Sequence, residues 1–420
     1  MKRSLLTAVL SALFVTGSLL ISGTAVYAEA EETADAEYIY EEYDEEYEEE
    51  EGDEAEEIVN PDQEAADQAA ALIDAICAEE WTEETDALVG EARAAWEALT
   101  DLQKEMVAGE AADPDYFGLD TGDASLDDPL NADDIGEKEI LVVSCGTAFN
   151  ESRAADIGAV EKALAAAFPE WSVRRAFAEQ PVINHVAARD EEQIDNIDQA
   201  LARAVSNGVK HLVVQPTFLM QGEAYDELCA AVRTYQDRFE TMAIAKPLLG
   251  DAGDSAETAD TDMETAAKAV VKAACEEAGY EDLEAAEKDR MAFVFVGHGA
   301  SDAANDICSR IGTQMKELGY ANVFIGTVEG TPEDMACQAV IDRISEEGYT
   351  KVTLRPLMVD AGESAHDAMA DPNDEASWLS RFEEAQAFSS IDVQMEGLGR
   401  LPGVQALYAA HTAAAISEEP

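Results

Sequence analysis

Short apolar runs at 139–143, 210–214, 291–296, 323–328 and 351–354 are rich in Val, Ile, Leu and Phe. Continuous runs of this length read as strands buried on both faces. Between and after them, apolar residues recur at helical spacing over 154–168, 194–207, 225–242, 263–278 and 332–347. That spacing gives each helix one apolar face. Strands alternating with helices predict parallel sheets joined by right-handed crossovers. The expected fold class is therefore α/β, with helices flanking parallel sheets.

The pattern repeats. Val213-Val214-Gln215-Pro216 is similar to Thr353-Leu354-Arg355-Pro356, and Gly222-Glu223-Ala224 to Gly362-Glu363-Ser364, at one offset of 140 residues. The strand ending Ser144-Cys145-Gly146-Thr147 likewise matches the one ending Gly297-His298-Gly299-Ala300. A duplication predicts two similar lobes, at 137–285 and 286–420, facing each other across a cleft. Such interfaces are favoured ligand sites.

The pattern upstream is different. Lys2-Arg3, an apolar stretch over 5–21 and Ala25-Val26-Tyr27-Ala28 read as a signal peptide at 1–28. Ser11, Thr16, Gly17 and Ser18 interrupt the stretch, which favours cleavage over a membrane anchor. The expected location is secreted or extracytoplasmic, in the cell envelope, with no stable membrane insertion after cleavage. Residues 29–60 are mostly Glu, Asp, Ala and Tyr, and such a self-repelling segment is expected to stay unfolded. Helical spacing returns over 61–110, with Thr82 as a helix cap. This small helical module resembles repeats of secreted and surface proteins of Gram-positive bacteria, through Leu72-Ile73-Asp74-Ala75-Ile76 and Ala92-Arg93-Ala94-Ala95-Trp96. The resemblance implies a spacer or cell-surface contact. Residues 111–136, rich in Asp, Gly and Pro, read as a linker.

A formal net charge of −65 argues against nucleic-acid partners, which require cations to displace phosphate counterions. It suits the gathering of metal cations by long-range attraction, or simply solubility. The six cysteines are dispersed without a C-x-x-C pair, which excludes a zinc ribbon or a thioredoxin motif.

Candidate chemistry gathers just beyond the predicted strands of the second lobe. It comprises His298 between two glycines, Glu329, and the stretch Asp360-Ala361-Gly362-Glu363-Ser364-Ala365-His366. Ligands of open α/β sheets bind beyond the carboxyl ends of the strands. If the strands are adjacent, two imidazoles and a carboxylate converge, a set suited to a divalent transition metal with open positions. Taken singly, Glu329 also reads as a carboxylate favouring a helix start, and His366 as an exposed residue at one. His185, in a connecting segment, His211, opening a strand, and His411, in a C-terminal helix, look peripheral. Cys145 occupies the first-lobe position equivalent to His298 and is either a thiolate ligand or a buried structural cysteine.

From residue 137 onward the chain resembles the class II tetrapyrrole chelatases, and among them the anaerobic cobalt chelatases that insert Co2+ into sirohydrochlorin. The resemblance is carried by Leu141-Val142-Val143-Ser144-Cys145-Gly146-Thr147, where the family usually has Phe at Cys145, and by Arg175-Ala176-Phe177, Gly297-His298-Gly299-Ala300 and Val328-Glu329. Pro356-Leu357-Met358, Ala361-Gly362, Ser377-Trp378 and Gly397-Leu398-Gly399 extend it. It implies a chelatase-like pair of lobes and a lyase of cobalamin biosynthesis. His298 is implied as metal ligand and pyrrole proton acceptor, and Glu329 as a second ligand. The family's second histidine position holds Ser364, and His366, two residues on, is the candidate third ligand.

The substrate metal implied is Co2+, with Fe2+ or Ni2+ as alternatives, and the partner a tetrapyrrole. Arg174, Arg355 and Arg381, with Arg175 and Lys246, are candidates to meet the ring's carboxylates in an acidic protein; Cys145 and Ser364 are further substrate-facing positions. The alternative function is an extracytoplasmic haem-, corrinoid- or metal-binding protein without catalysis.

Overall fold

The computed structural model describes residues 60–77, 81–114, 116–249 and 256–417. The expected signal peptide and, apart from Asn60, the acidic segment lie outside the described residues.

Two four-stranded sheets form the body of the chain. The first contains β1 (Lys138–Ser144), β2 (Ser172–Phe177), β3 (His211–Pro216) and β4 (Thr241–Ile244) in the order β2-β1-β3-β4. The second contains β5 (Met291–Gly297), β6 (Val323–Thr327), β7 (Lys351–Pro356) and β8 (Ser390–Val393) in the order β6-β5-β7-β8. All pairings are parallel. The duplication is thus visible in the topology: Gln215 pairs with Val142 as Arg355 pairs with Phe295.

Strand alternation sends successive side chains to opposite layers. Ile140 and Val142 of β1 and Phe293 and Phe295 of β5 enter one shared core. Leu141 and Val143 face a first-lobe outer core, and Val294 and Val296 a second-lobe one. The shared core is filled by helices α3 (Gly158–Ala167), α7 (Ala256–Glu277), α8 (Asp302–Glu317) and α11 (Pro402–Ser417). The outer layers hold α4 (Gln180–Asp190), α5 (Ile197–Ser206), α6 (Glu223–Arg233), α9 (Cys337–Glu346) and α10 (Trp378–Glu384). Upstream lie α1 (Pro61–Cys77) and α2 (Glu83–Ala98).

Several expectations are corrected. The helix expected over 225–242 ends at Arg233, and residues 241–244 form β4. The helix expected over 332–347 opens with a 3-10 turn, Glu333–Met335, before α9. His185 sits within α4 rather than in a connection. The boundary of the second lobe at 420 also shifts, because α11 crosses back to the first. There the Tyr408 hydroxyl donates to the Thr217 carbonyl at 2.8 Å and the Thr412 hydroxyl to Gln215 Oε1 at 2.7 Å.

The helical module is not a detached spacer. Ala66, Ile73, Ile76 and Ala92 share a core with Tyr116 and with Ala188 of α4. The linker is likewise packed: Tyr116 stacks on His185 with centroids 4.0 Å apart, and Asp127 is clamped by Arg153 and Arg175 at 2.7 and 2.6 Å.

Candidate active site

The carboxyl ends of β1, β3, β5 and β7 open onto one cleft of about 680 Å³. Its walls come from both lobes, with Val182, Phe218, Leu219 and Met220 from the first and Ala304, Leu357 and Met358 from the second.

His298 follows β5 directly, is exposed and lines this cleft. Its neighbouring glycines are required by close packing. A Cβ at Gly297 would meet Cys308 Sγ at 2.6 Å, and Gly299, with φ +79, would meet Thr327 Cβ at 2.7 Å. Gly299 therefore suits a left-handed position that a side chain would strain and crowd. The His298 carbonyl accepts the Glu329 N–H at 3.2 Å, so β5 and β6 bring these two residues together through the main chain. Glu329 itself is exposed and does not line the cleft.

His366 is not brought to His298 in this arrangement. It begins a π-helical turn, His366–Ala370, and stacks on Phe149 of the first lobe with centroids 4.1 Å apart. Burial lowers its pKa, against the pull of Glu151, and favours a neutral ring. Ser364 and Glu363 line the cleft instead. Among the described residues, no three His, Cys, Asp or Glu side chains are close enough together to hold a metal ion.

Cys145 lines the cleft and is exposed, which corrects its reading as a buried structural cysteine. Enclosure by the cleft walls, then the Asp360 and Glu179 carboxylates, push its thiol up to about 12. A neutral thiol is the form present near neutral pH. The six cysteines are all free.

The arginine expectations fare differently. Arg174 is buried, with Nε on Glu139 Oε1 at 2.9 Å and Nη2 on the Ala200 carbonyl at 2.6 Å. Arg175 is buried between Glu161 and Asp127, and Arg355 is held by Glu277 and Glu396 at 2.7 and 2.8 Å. Arg381 is exposed on α10 beside Cys337, and Lys246 is exposed beyond β4. None of the five lines the cleft, and no Lys or Arg is among its described lining residues. Arg174 and Arg175 answer buried carboxylates, because an unpaired buried charge costs far more than an exposed one.

Sequence reasoning also missed Asp156. This fully buried carboxylate of the first lobe accepts from the backbone N–H of Ala361 at 3.0 Å and of Gly397 at 3.1 Å, and from Arg400 Nε at 2.8 Å. Nearby, the Ser152 hydroxyl donates to the Ala361 carbonyl at 2.6 Å. The lobes meet so closely that a Cβ at Gly362 would lie 2.6 Å from Thr147 Oγ1, and one at Gly397 2.6 Å from Asp156 Oδ2. The signal was present in the Ala361-Gly362 and Gly397-Leu398-Gly399 motifs, but their partner lies more than two hundred residues upstream.

Two parallel-sheet lobes joined over one cleft, with a glycine-flanked histidine and carboxylates at the strand ends, define an α/β protein with an interlobe ligand site. The cobalt chelatase (CbiK) family model matches residues 138–417. The chain belongs to that family and is a metal chelatase, a lyase by reaction class. It is 29% identical over 281 residues to the sirohydrochlorin cobaltochelatase of Salmonella typhimurium, covering 67% of this chain and 97% of that protein. Among solved structures it is similar to SirB from Bacillus subtilis with Fe3+, at 15% identity and a TM-score of 0.46, covering 67% and 96% of the two chains. A sirohydrochlorin chelatase SirB from Bacillus subtilis subspecies spizizenii in complex with cobalt gives 13% identity and a TM-score of 0.42, covering 67% and 97%. Residues 61–137 lie outside the family match.

Proposed function

We propose that the chain inserts a divalent metal ion, Co2+ in preference to Fe2+ or Ni2+, into sirohydrochlorin or a related tetrapyrrole bound in the interlobe cleft. The observation that carries the reading is His298, open to a half-apolar cleft at the end of β5 in a member of the cobalt chelatase family. The apolar wall of Val182, Phe218, Leu219 and Leu357 suits the face of a macrocycle. The His298 imidazole holds the incoming metal or takes a pyrrole proton. Glu329, tied to His298 through the main chain, offsets metal charge, and His366 joins only after leaving Phe149.

The proposal includes export, which the Lys2-Arg3 start, the apolar stretch and Ala28 support. The same observation favours a second reading, a haem-, corrinoid- or metal-binding protein without catalysis, acting outside the cytoplasm. In either reading the helical module contacts the cell surface.

Purified protein is mixed with sirohydrochlorin and Co2+, and metallation is followed by absorbance. Metallation well above the spontaneous rate, reduced about a hundredfold or more in His298→Ala, is expected. A rate equal to the spontaneous one with tight haem or metal binding transfers the conclusion to the second reading. Fractionation of the source cells tests export, and an uncleaved chain in the cytoplasm removes that part of the proposal.

A further inference from the structure

Inserting a divalent ion into a tetrapyrrole releases two pyrrole protons, whereas His298 supplies one imidazole. The cleft contains a second base. Asp360 lies beyond β7, the strand paired directly with β5, and lines the same cleft as His298. It is half-buried, and among the described residues no cation pairs with its carboxylate, which is hydrogen-bonded by its own backbone N–H. Most of the local donors are committed elsewhere, Arg400 Nη2 being without a partner. The N–H groups of Ala361 and Gly397 and the guanidinium of Arg400 all serve Asp156, and Arg400 also reaches Glu396 at 3.2 Å. Asp156 is therefore the carboxylate provided with charge-stabilising partners, and Asp360 the one left facing the ligand space.

The groups around Asp360 are Asp156 from the first lobe, Cys145 from the end of β1 and Tyr408 from α11. The Tyr408 hydroxyl is engaged by the Thr217 carbonyl, and the Cys145 thiol is neutral. None of these brings a positive charge.

We infer that Asp360 is a catalytic residue of metallation that accepts a pyrrole proton within the cleft. The inference rests on the chelatase reading above. The N–H bond breaks with its electron pair remaining on nitrogen, which bonds the incoming metal ion. The proton passes to a carboxylate oxygen of Asp360, giving a neutral carboxyl group, and then to water in the open cleft. No electron is transferred, and the second proton leaves through His298 or solvent. Burial, reinforced by Asp156, raises the Asp360 carboxyl to about 7, which suits a base working near neutral pH.

The test is the metallation rate of the full chain, with sirohydrochlorin and Co2+, as a function of pH for wild type, Asp360→Asn and Asp360→Glu. Binding of each substrate is measured separately by fluorescence quenching and by titration of Co2+ alone. Wild-type kcat is expected to rise through about pH 7 as the carboxylate forms. Asp360→Asn is expected to lose about a hundredfold in kcat and that limb of the profile, with substrate affinities and melting temperature close to wild type. Asp360→Glu is expected to recover part of both. An active wild type matched by Asp360→Asn in rate and profile overturns the role of Asp360 alone. So does a rate lost only in proportion to substrate affinity or folded fraction. A wild type no faster than the spontaneous reaction overturns the chelatase reading and this inference together.

Discussion

His298 was legible from sequence because its signal is local: an apolar strand, two glycines and a histidine in one short run. Asp360 was visible only as part of a polar stretch, since its significance depends on Asp156 taking the nearby donors. His185 was misplaced for a similar reason. Its surroundings come from Tyr116, 69 residues away, whose ring it stacks on and whose carbonyl lies 2.7 Å from its Nε2. Burial, then Arg189, depress its pKa to about 4, against the pull of the Tyr116 carbonyl. The sign follows from linkage. The unfolded chain takes up a proton near pH 6.5 that the folded chain refuses, so this contribution is intact above 6.5 and is lost as pH falls towards 4. Between pH 7.5 and 5 the loss is about 2 kcal/mol. Urea unfolding of His185→Phe, which keeps a stacked ring without a titrating nitrogen, is expected to lack that share of the decline. Parallel pH dependences in the two proteins would refute the assignment.

At the scale of elements, strands that alternate little and carry only apolar residues were readable, as β5 shows. β2 was not, because Arg174 and Arg175 occupy its middle and look like surface or ligand-facing cations. In the fold they point to opposite layers, each meeting a carboxylate from another element: Glu139 of β1 for Arg174, Glu161 of α3 for Arg175. Asp127 of the linker joins Arg175 through two bonds of 2.6 and 2.9 Å. Removing the guanidinium would strand the buried Glu161 carboxylate and leave Asp127 to Arg153 alone. Arg175→Met is therefore expected to cost about 3–5 kcal/mol, the usual penalty for breaking a buried pair from one side. Adding Glu161→Gln should restore part of it. Equilibrium denaturation measures both, and a loss under 1 kcal/mol in the single variant would contradict the clamp. β4 and β8 escaped notice for a different reason: at four residues each, on sheet edges, they carry too little pattern to separate from the neighbouring helices.

At the scale of the whole molecule, sequence pattern and composition distinguished four regions before residue 137, but neither reports docking. The module's apolar stripe is completed by Ala188 of α4, and its polar groups reach the same helix. Asn184 Nδ2 donates to the Ile76 carbonyl at 2.6 Å, and the Arg93 guanidinium donates to the Ala188 carbonyl. Ile73 and Ile76 are fully buried between these parts, so separation would expose both to water, at about 1.5–3 kcal/mol for each side chain. A freely tethered module would pay no such cost and would melt on its own. The described residues from 60 to 417 belong to one compact unit by their contacts, and they are expected to unfold in a single cooperative transition. The check uses a Trp171→Phe, Trp378→Phe variant, whose remaining tryptophans, Trp81 and Trp96, both belong to the module. Coincident thermal transitions by tryptophan fluorescence and by circular dichroism of the whole chain are the expected outcome. Fluorescence changing well before the bulk secondary structure would mean that the module detaches first, and would restore it as an independent domain.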